Sequence, residues 1–323
     1  TLGDINGIGP EVVIKALSDS RILNYCTPVI YGSTKTLSYY RKNYKIDEFQ
    51  YTHSKDNSSF IERKINVVNC WDEILEITAG TPTEQSAWAS RRALEKAISD
   101  IKEKRIDAVV TGPINKHTIQ SDTFKFPGHT EYLTSEFGVK ESLMLMVSEN
   151  MRVGVVTGHI PLKEVTKNLN AENVRKKIDI LEKSLKKDFG IQKPRIAILG
   201  INPHNGDKGL IGTEEEDFLI QLVSDFREEN RLVFGPFPAD GFFGGGNYSK
   251  YDAILAMYHD QGLIPFKTLS FGKGINFTAG LPIIRTSPDH GTAYSIAGQD
   301  IANPSSMREA IFQAIDLCKK KNS

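Results

Sequence analysis

The chain alternates between short apolar runs and longer stretches whose apolar residues recur every three or four positions. Runs of strand length cover 28–31, 64–69, 108–110, 143–147, 153–157, 195–199, 232–235 and 253–257. Helical spacing shows first at Val12, Val13, Ala16 and Leu17, behind the turn GDINGIGPE, where Pro10 suits a first helical turn. Leu94, Ala97, Ile98 and Ile101 line one face of a second helix, ahead of which Thr81 and Glu84 have capping-box spacing. A long helix over 171–189 carries Val174, Ile178, Leu181 and Leu185, and its lysines read as a solvated face. Thr213 and Glu216, again with box spacing, introduce a helix through Leu222. Ser306 and Glu309 cap a last one through Ile311, Ile315 and Cys318. Strand, helix, strand in repetition predicts an α/β fold with a largely parallel sheet.

Length and charge narrow the classes of function. A chain of 323 residues favours two domains over one. Its 40 basic and 40 acidic residues cancel, so no global basic field points to nucleic acid. Cys26, Cys70 and Cys318 form no CxxC pair and read as the reduced thiols of a cytoplasmic protein. No apolar run is long enough to span a bilayer, so no membrane partner is expected. The chain opens at Thr1-Leu2 directly on a glycine turn, and a strand is expected ahead of it. That turn is neither GxGxxG nor a P-loop. Its N–H groups suit an anion, or it is simply a strand-to-helix turn.

Candidate chemistry gathers in 251–298. The apolar run there ends in Tyr258-His259-Asp260-Gln261-Gly262, followed by Lys267, by the glycine-broken Phe271-Gly272-Lys273-Gly274-Ile275-Asn276, and by Arg285 after a second apolar run. In an α/β sheet the strand ends are where ligands bind. His159, His204 and His259 each follow an apolar run and its turn. Singly, each is most simply a hydrogen-bonded structural histidine. Together, at equivalent strand ends, they suggest a catalytic metal site with three protein ligands. Such a cation acts as a Lewis acid on a substrate hydroxyl. Lys267, Asn276 and Arg285 supply anion-binding groups, and arginine grips a carboxylate or phosphate through two parallel bonds. Asp240, Asp260 and Lys267 are the candidate catalytic residues, with Asp260 alternatively a helix cap.

The segments GDINGIGPE, TGPINKHTI, FPGHTEYL, TGHIPL, INPHNGD, GTEEED, PFPADGFF, YHDQGLIPFK and GLPIIRTSPDHGTA occur in the order of one family. By them the chain resembles the 4-hydroxythreonine-4-phosphate dehydrogenases of pyridoxal phosphate synthesis, over essentially its whole length. Ile5-Asn6, where the family commonly has Pro-Ala, is a departure that touches no proposed ligand. The resemblance implies oxidation of 4-phosphooxy-L-threonine by NAD or NADP, the product losing carbon dioxide to give 3-amino-2-oxopropyl phosphate. It implies a divalent metal, zinc, magnesium or cobalt, on His159, His204 and His259. Substrate positions fall on His129, Thr130, Lys267, Asn276 and Arg285, and Gly272, Gly274 and Asn276 are the candidate cofactor loop. The implied architecture is that of isocitrate and isopropylmalate dehydrogenases: two α/β domains with largely parallel sheets and the active site in the cleft between them. The first domain is expected over 1–125 plus about 252–323, and the second, carrying dimer contacts, over about 126–251. A homodimer with shared active sites is implied too. D-threonate or D-erythronate 4-phosphate dehydrogenases are the nearest alternative, and phosphate acyltransferases of related architecture a more distant one.

Overall fold

The computed structural model describes residues 1–54, 59–121 and 124–322. The chain forms two compact units, Thr1–Leu133 with Ile283–Lys319, and Thr134–Pro282 with Lys320–Ser323.

The first unit begins with the glycine turn and α1 (Gly9–Leu17). It continues through β1 (Val29–Gly32), α2 (Thr34–Asn43), β2 (Thr52–Ser54) and β3 (Asn66–Asn69). β3 lies between β1 and β2, parallel to both. After α3 (Glu84–Lys102) comes β4 (Ala108–Val110), and α4 (His129–Glu136) closes this part of the chain. The N-terminal turn is buried, and its N–H groups bond to protein acceptors: Asp4 N to Pro113 O at 2.8 Å and Ile8 N to Thr292 O at 2.9 Å. It is therefore a structural turn leading into α1, with these N–H groups already taken by the protein. A Cβ at Gly9 would lie 2.1 Å from Leu2 O, and one at Gly112 2.6 Å from the same oxygen, so both positions exclude any side chain. Asn6 secures the next segment by donating to Thr78 Oγ1, Thr81 O and Thr83 Oγ1.

That use of Thr81 explains why the helix starts later than its spacing predicts. The cap is Thr83, whose Oγ1 accepts from Ser86 N at 3.1 Å while Ser86 Oγ accepts from Thr83 N. The Thr213 hydroxyl makes no cap and donates instead to Asp217 at 2.8 Å. Ser306 lies inside the last helix and bonds to Asp289 instead.

The second unit holds β5 (Leu143–Ser148), β6 (Met151–Thr157), α5 (Leu162–Asn168), α6 (Ala171–Lys187) and β7 (Ile196–Leu199). Beyond these run α7 (Ile220–Glu228), β8 (Val233–Phe237), α8 (Ala239–Gly244), β9 (Ala253–Tyr258), α9 (His259–Ser270) and β10 (Ile275–Ala279). The strands lie in the order β10-β5-β6-β9-β7-β8. The β10–β5 and β5–β6 pairings are antiparallel, while β6–β9, β9–β7 and β7–β8 are parallel. Helix α9 lies close on its sheet because residue 262 is glycine; a Cβ there would stand 2.8 Å from Val153 Cγ1 and 2.9 Å from Ala256 Cβ. The chain then returns to the first unit through β11 (Ile284–Pro288), parallel to β4, and α10 (Ser305–Asn322). Among the described residues, no helix is long and apolar enough to cross a membrane.

Candidate functional site

In the first unit, β11 and β4 build a cationic cluster. Their parallel register sets Arg285 opposite Val109, and Thr111 N continues the ladder to Thr286 O at 3.0 Å. Thr111 Oγ1 therefore sits beside the Arg285 guanidinium, accepting from Nε at 3.1 Å and from Nη2 at 2.7 Å. Arg285 is only 3% exposed. Burial lowers its pKa to about 10, with the Glu131 carboxylate acting the other way. His129 opens α4, and its Nε2 is buried with no hydrogen-bond partner. The sequence suggests a histidine exposed by its turn; the structure shields it. Burial, then the charges of Arg285 and Lys116, hold the His129 pKa well below its ordinary 6.5. The cluster is thus a buried guanidinium, a neutral imidazole with an unused nitrogen, and the first residues of a helix including Thr130. These groups suit an anion with several acceptor oxygens.

In the second unit, neighbouring parallel strands deliver polar residues at the same edge. Thr157 of β6 is in register with Tyr258 of β9, so His159 and His259 leave adjacent strand ends. Their rings stand 5.4 Å apart, centre to centre. The Asp260 carboxylate lies 2.7 Å from His259 Nδ1 and orients that imidazole, which leaves Nε2 for another partner. It does not cap α9, whose cap is Tyr258. On the far side of β9, β7 runs into Gly200-Ile201-Asn202-Pro203-His204, and next to it β8 leads to Asp240 in the first turn of α8. His159, His204 and Asp240 are exposed and His259 is half-buried.

The segment around His204 has unusual backbone. His204, Asn205, Gly206, Asp207 and Lys208 all have positive φ, between 44° and 77°. For a residue other than glycine, this conformation costs roughly 1–2 kcal/mol. Local hydrogen bonding offsets the cost. The buried Glu215 accepts from Ile201 N and Asn202 N, each at 2.7 Å, and charged hydrogen bonds contribute about 1.5–3 kcal/mol apiece. Glu215 was missed by sequence reasoning, because one buried carboxylate inside GTEEED looks like its solvated neighbours.

A pair of close imidazoles, one held by a carboxylate, fits a zinc-like cation that needs further ligands. Among the described residues of this one chain, no three His, Cys, Asp or Glu side chains are placed to hold a metal together. His204 therefore shares the strand edge with His159 and His259 without completing a triad.

Lys267 lies on α9 two turns beyond His259, and Asn276 on β10 has a buried Oδ1 with no partner. Gly272 follows the end of α9 at φ +75° and faces open space. Gly274 is needed for packing, since a Cβ there would meet the Phe266 ring at 2.5 Å.

Comparison with known proteins bears on these features. Residues 24–314 match the family described as pyridoxal phosphate biosynthetic protein PdxA. A 4-hydroxythreonine-4-phosphate dehydrogenase from Bacteroides thetaiotaomicron is 46% identical over 323 residues, covering 99% of this chain and 88% of that protein. A D-threonate 4-phosphate dehydrogenase from Cupriavidus necator is 37% identical, covering 99% and 97%. The solved structure of a putative 4-hydroxythreonine-4-phosphate dehydrogenase from Salmonella typhimurium superposes with a TM-score of 0.83 at 34% identity, covering 98% of each chain. A phosphotransacetylase from Staphylococcus aureus, at 12% identity and a TM-score of 0.52 over 96% of this chain and 91% of that one, shares the fold alone.

Proposed function

This chain belongs to the PdxA family of pyridoxal phosphate biosynthetic proteins, and from that membership we propose that it is a 4-hydroxythreonine-4-phosphate dehydrogenase. The reaction is oxidation of the secondary alcohol of 4-phosphooxy-L-threonine to a ketone. The product, 2-amino-3-oxo-4-phosphooxybutanoate, is a β-keto acid and loses carbon dioxide to give 3-amino-2-oxopropyl phosphate. The observation that carries the reading is the buried Arg285 beside the shielded, unpartnered His129 nitrogen, a site made for an oxyanion.

Arg285, His129 and Thr130 are the residues to grip the anionic end of the substrate, and Lys267 and Asn276 are further candidate substrate contacts. His159, His204 and His259 are the residues to hold a divalent cation, with Asp260 fixing the His259 ring. When bound, the cation would supply a Lewis acid toward the substrate hydroxyl, and NAD or NADP would supply the hydride acceptor. Zinc and cobalt suit three imidazoles better than magnesium does. Asp240, Asp260 and Lys267 are the candidates to take the hydroxyl proton. Gly272, Gly274 and Asn276 are the candidate cofactor contacts, Gly274 through its backbone because Phe266 fills the space beside it.

Because one chain assembles two of the three imidazoles, the reading includes a homodimer whose subunits share ligands. Exposed Leu162 and Leu210, each following a proposed metal ligand in sequence, support a second copy covering this edge. Three free cysteines fit a cytoplasmic enzyme.

The relative acting on D-threonate 4-phosphate keeps a second substrate in view, differing by a hydroxyl in place of the amino group. A panel assay of NADH formation decides between them, using phosphothreonine, D-threonate 4-phosphate and D-erythronate 4-phosphate with and without added divalent ion. Turnover of phosphothreonine that a chelator abolishes is the expected result. Preference for a threonate phosphate moves the assignment to the alternative, and full turnover after chelation removes the metal from it.

A further inference from the structure

The segment carrying His204 is wrapped around one carboxylate, and we propose that Glu215 is a positioning residue for His204. This rests on His204 serving as a metal ligand. Glu215 is fully buried. Its Oε1 accepts from Ile201 N and Asn202 N, and its Oε2 accepts from Asn202 Nδ2 at 2.9 Å. The glycines on either side of the histidine leave room for it: a Cβ at Gly200 would stand 3.2 Å from Oε1, and one at Gly206 3.1 Å from Oε2. The carboxylate thus bonds to the chain before His204 and occupies the space that a side chain at Gly206 would need.

From His204 to Lys208 the backbone has positive φ at every residue, a conformation that persists only where the surroundings impose it. Gln261 ties the start of the same segment to its neighbour, donating from Nε2 to Gly200 O at 2.6 Å and accepting at Oε1 from Met257 N at 2.7 Å. The end of β9, where His259 stands, and the end of β7, which leads to His204, are therefore linked through one amide side chain. Glu215 is closed off from solvent, so it holds the turn and does not meet substrate.

The test uses the full chain as Glu215→Gln and, as a milder change, Asn202→Ala. Glutamine keeps the shape of Glu215 but points an NH2 group at the Asn202 amide. In metal-free protein, the Ile201 and Asn202 amides should exchange hydrogen at least 10-fold faster in Glu215→Gln, with the amides of β7 and α6 unchanged. Cobalt or zinc titration should show affinity weakened roughly 10–100-fold, the range for residues that orient a ligand. The KM for phosphothreonine should stay within about twofold of the parent, and saturating metal should restore kcat, which a general loss of stability would not reproduce. Unchanged amide protection, or lost protection with parental metal affinity, overturns the proposal. His204→Ala binding metal as tightly as the parent would instead overturn the ligand reading, and amide exchange then decides alone whether Glu215 holds the turn.

Discussion

Arg285 is a cation held almost out of water, donating from Nε and Nη2 to the Thr111 hydroxyl. The fall in its pKa from 12.5 to about 10 corresponds to roughly 3 kcal/mol that the folded protein spends on keeping it charged. Such a group is retained for what it binds. Arg285→Met should raise the KM for the phosphorylated substrate by roughly 10²-fold or more, the size of a lost charged hydrogen bond pair. The melting temperature should hold or rise, and a clear fall would show the guanidinium to be a structural support. His129 gives a pH dependence whose sign follows from its lowered pKa. Below about 6.5 the unfolded chain takes up a proton that the folded chain refuses, so stability falls on acidification and is level above that pH. Denaturant titrations from pH 7.5 to 5 should show that slope, and His129→Asn should flatten it. Arg285 stood out in the sequence because an apolar run closes on it. The shielding of His129 did not, since FPGHTEYL reads as an exposed turn until α4 is folded against its surroundings.

Elements were legible where a pattern repeats and obscure where one contact decides. The parallel strands and α6 announce themselves by their apolar spacing, and the histidines by their place after such runs. Beginnings of helices were less readable, because Thr81 and Thr83 offer the same chemistry and only the Asn6 amide, more than seventy residues away, settles which one caps. β2 escaped notice as three polar residues, Thr52–Ser54, made a strand by pairing with β3. The left-handed run after Pro203 has no periodic signal at all. At α9 a single glycine sets the distance from helix to sheet. Gly262→Ala should destabilise by about 1–3 kcal/mol, as overpacking does, and lower the urea midpoint. Activity should drop more than stability does, because the same helix begins with His259. Unchanged kinetics in the folded variant would show that the start of α9 tolerates displacement.

For the molecule as a whole, the ordered motifs carried the family and the alternation of strands and helices carried the fold class, while assembly had no local signature. The apolar side chains that bear on it, Leu162 at 75% and Leu210 at 81% exposed, look in sequence like ordinary core residues. Leu162→Asp together with Leu210→Asp should convert a dimer to a monomer in sedimentation, with at least a 10-fold loss of turnover. A monomeric parent, or an active monomeric variant, would end the shared-site reading. The strand order has a consequence for synthesis. β9 sits between β6 and β7, yet it leaves the ribosome after both. Until then the two earlier strands face a gap one strand wide, each with an open ladder of backbone groups. If they joined each other first, the later strand would have nowhere to enter. A nascent chain paused before residue 253 therefore carries two unpaired strand edges that only later sequence can join.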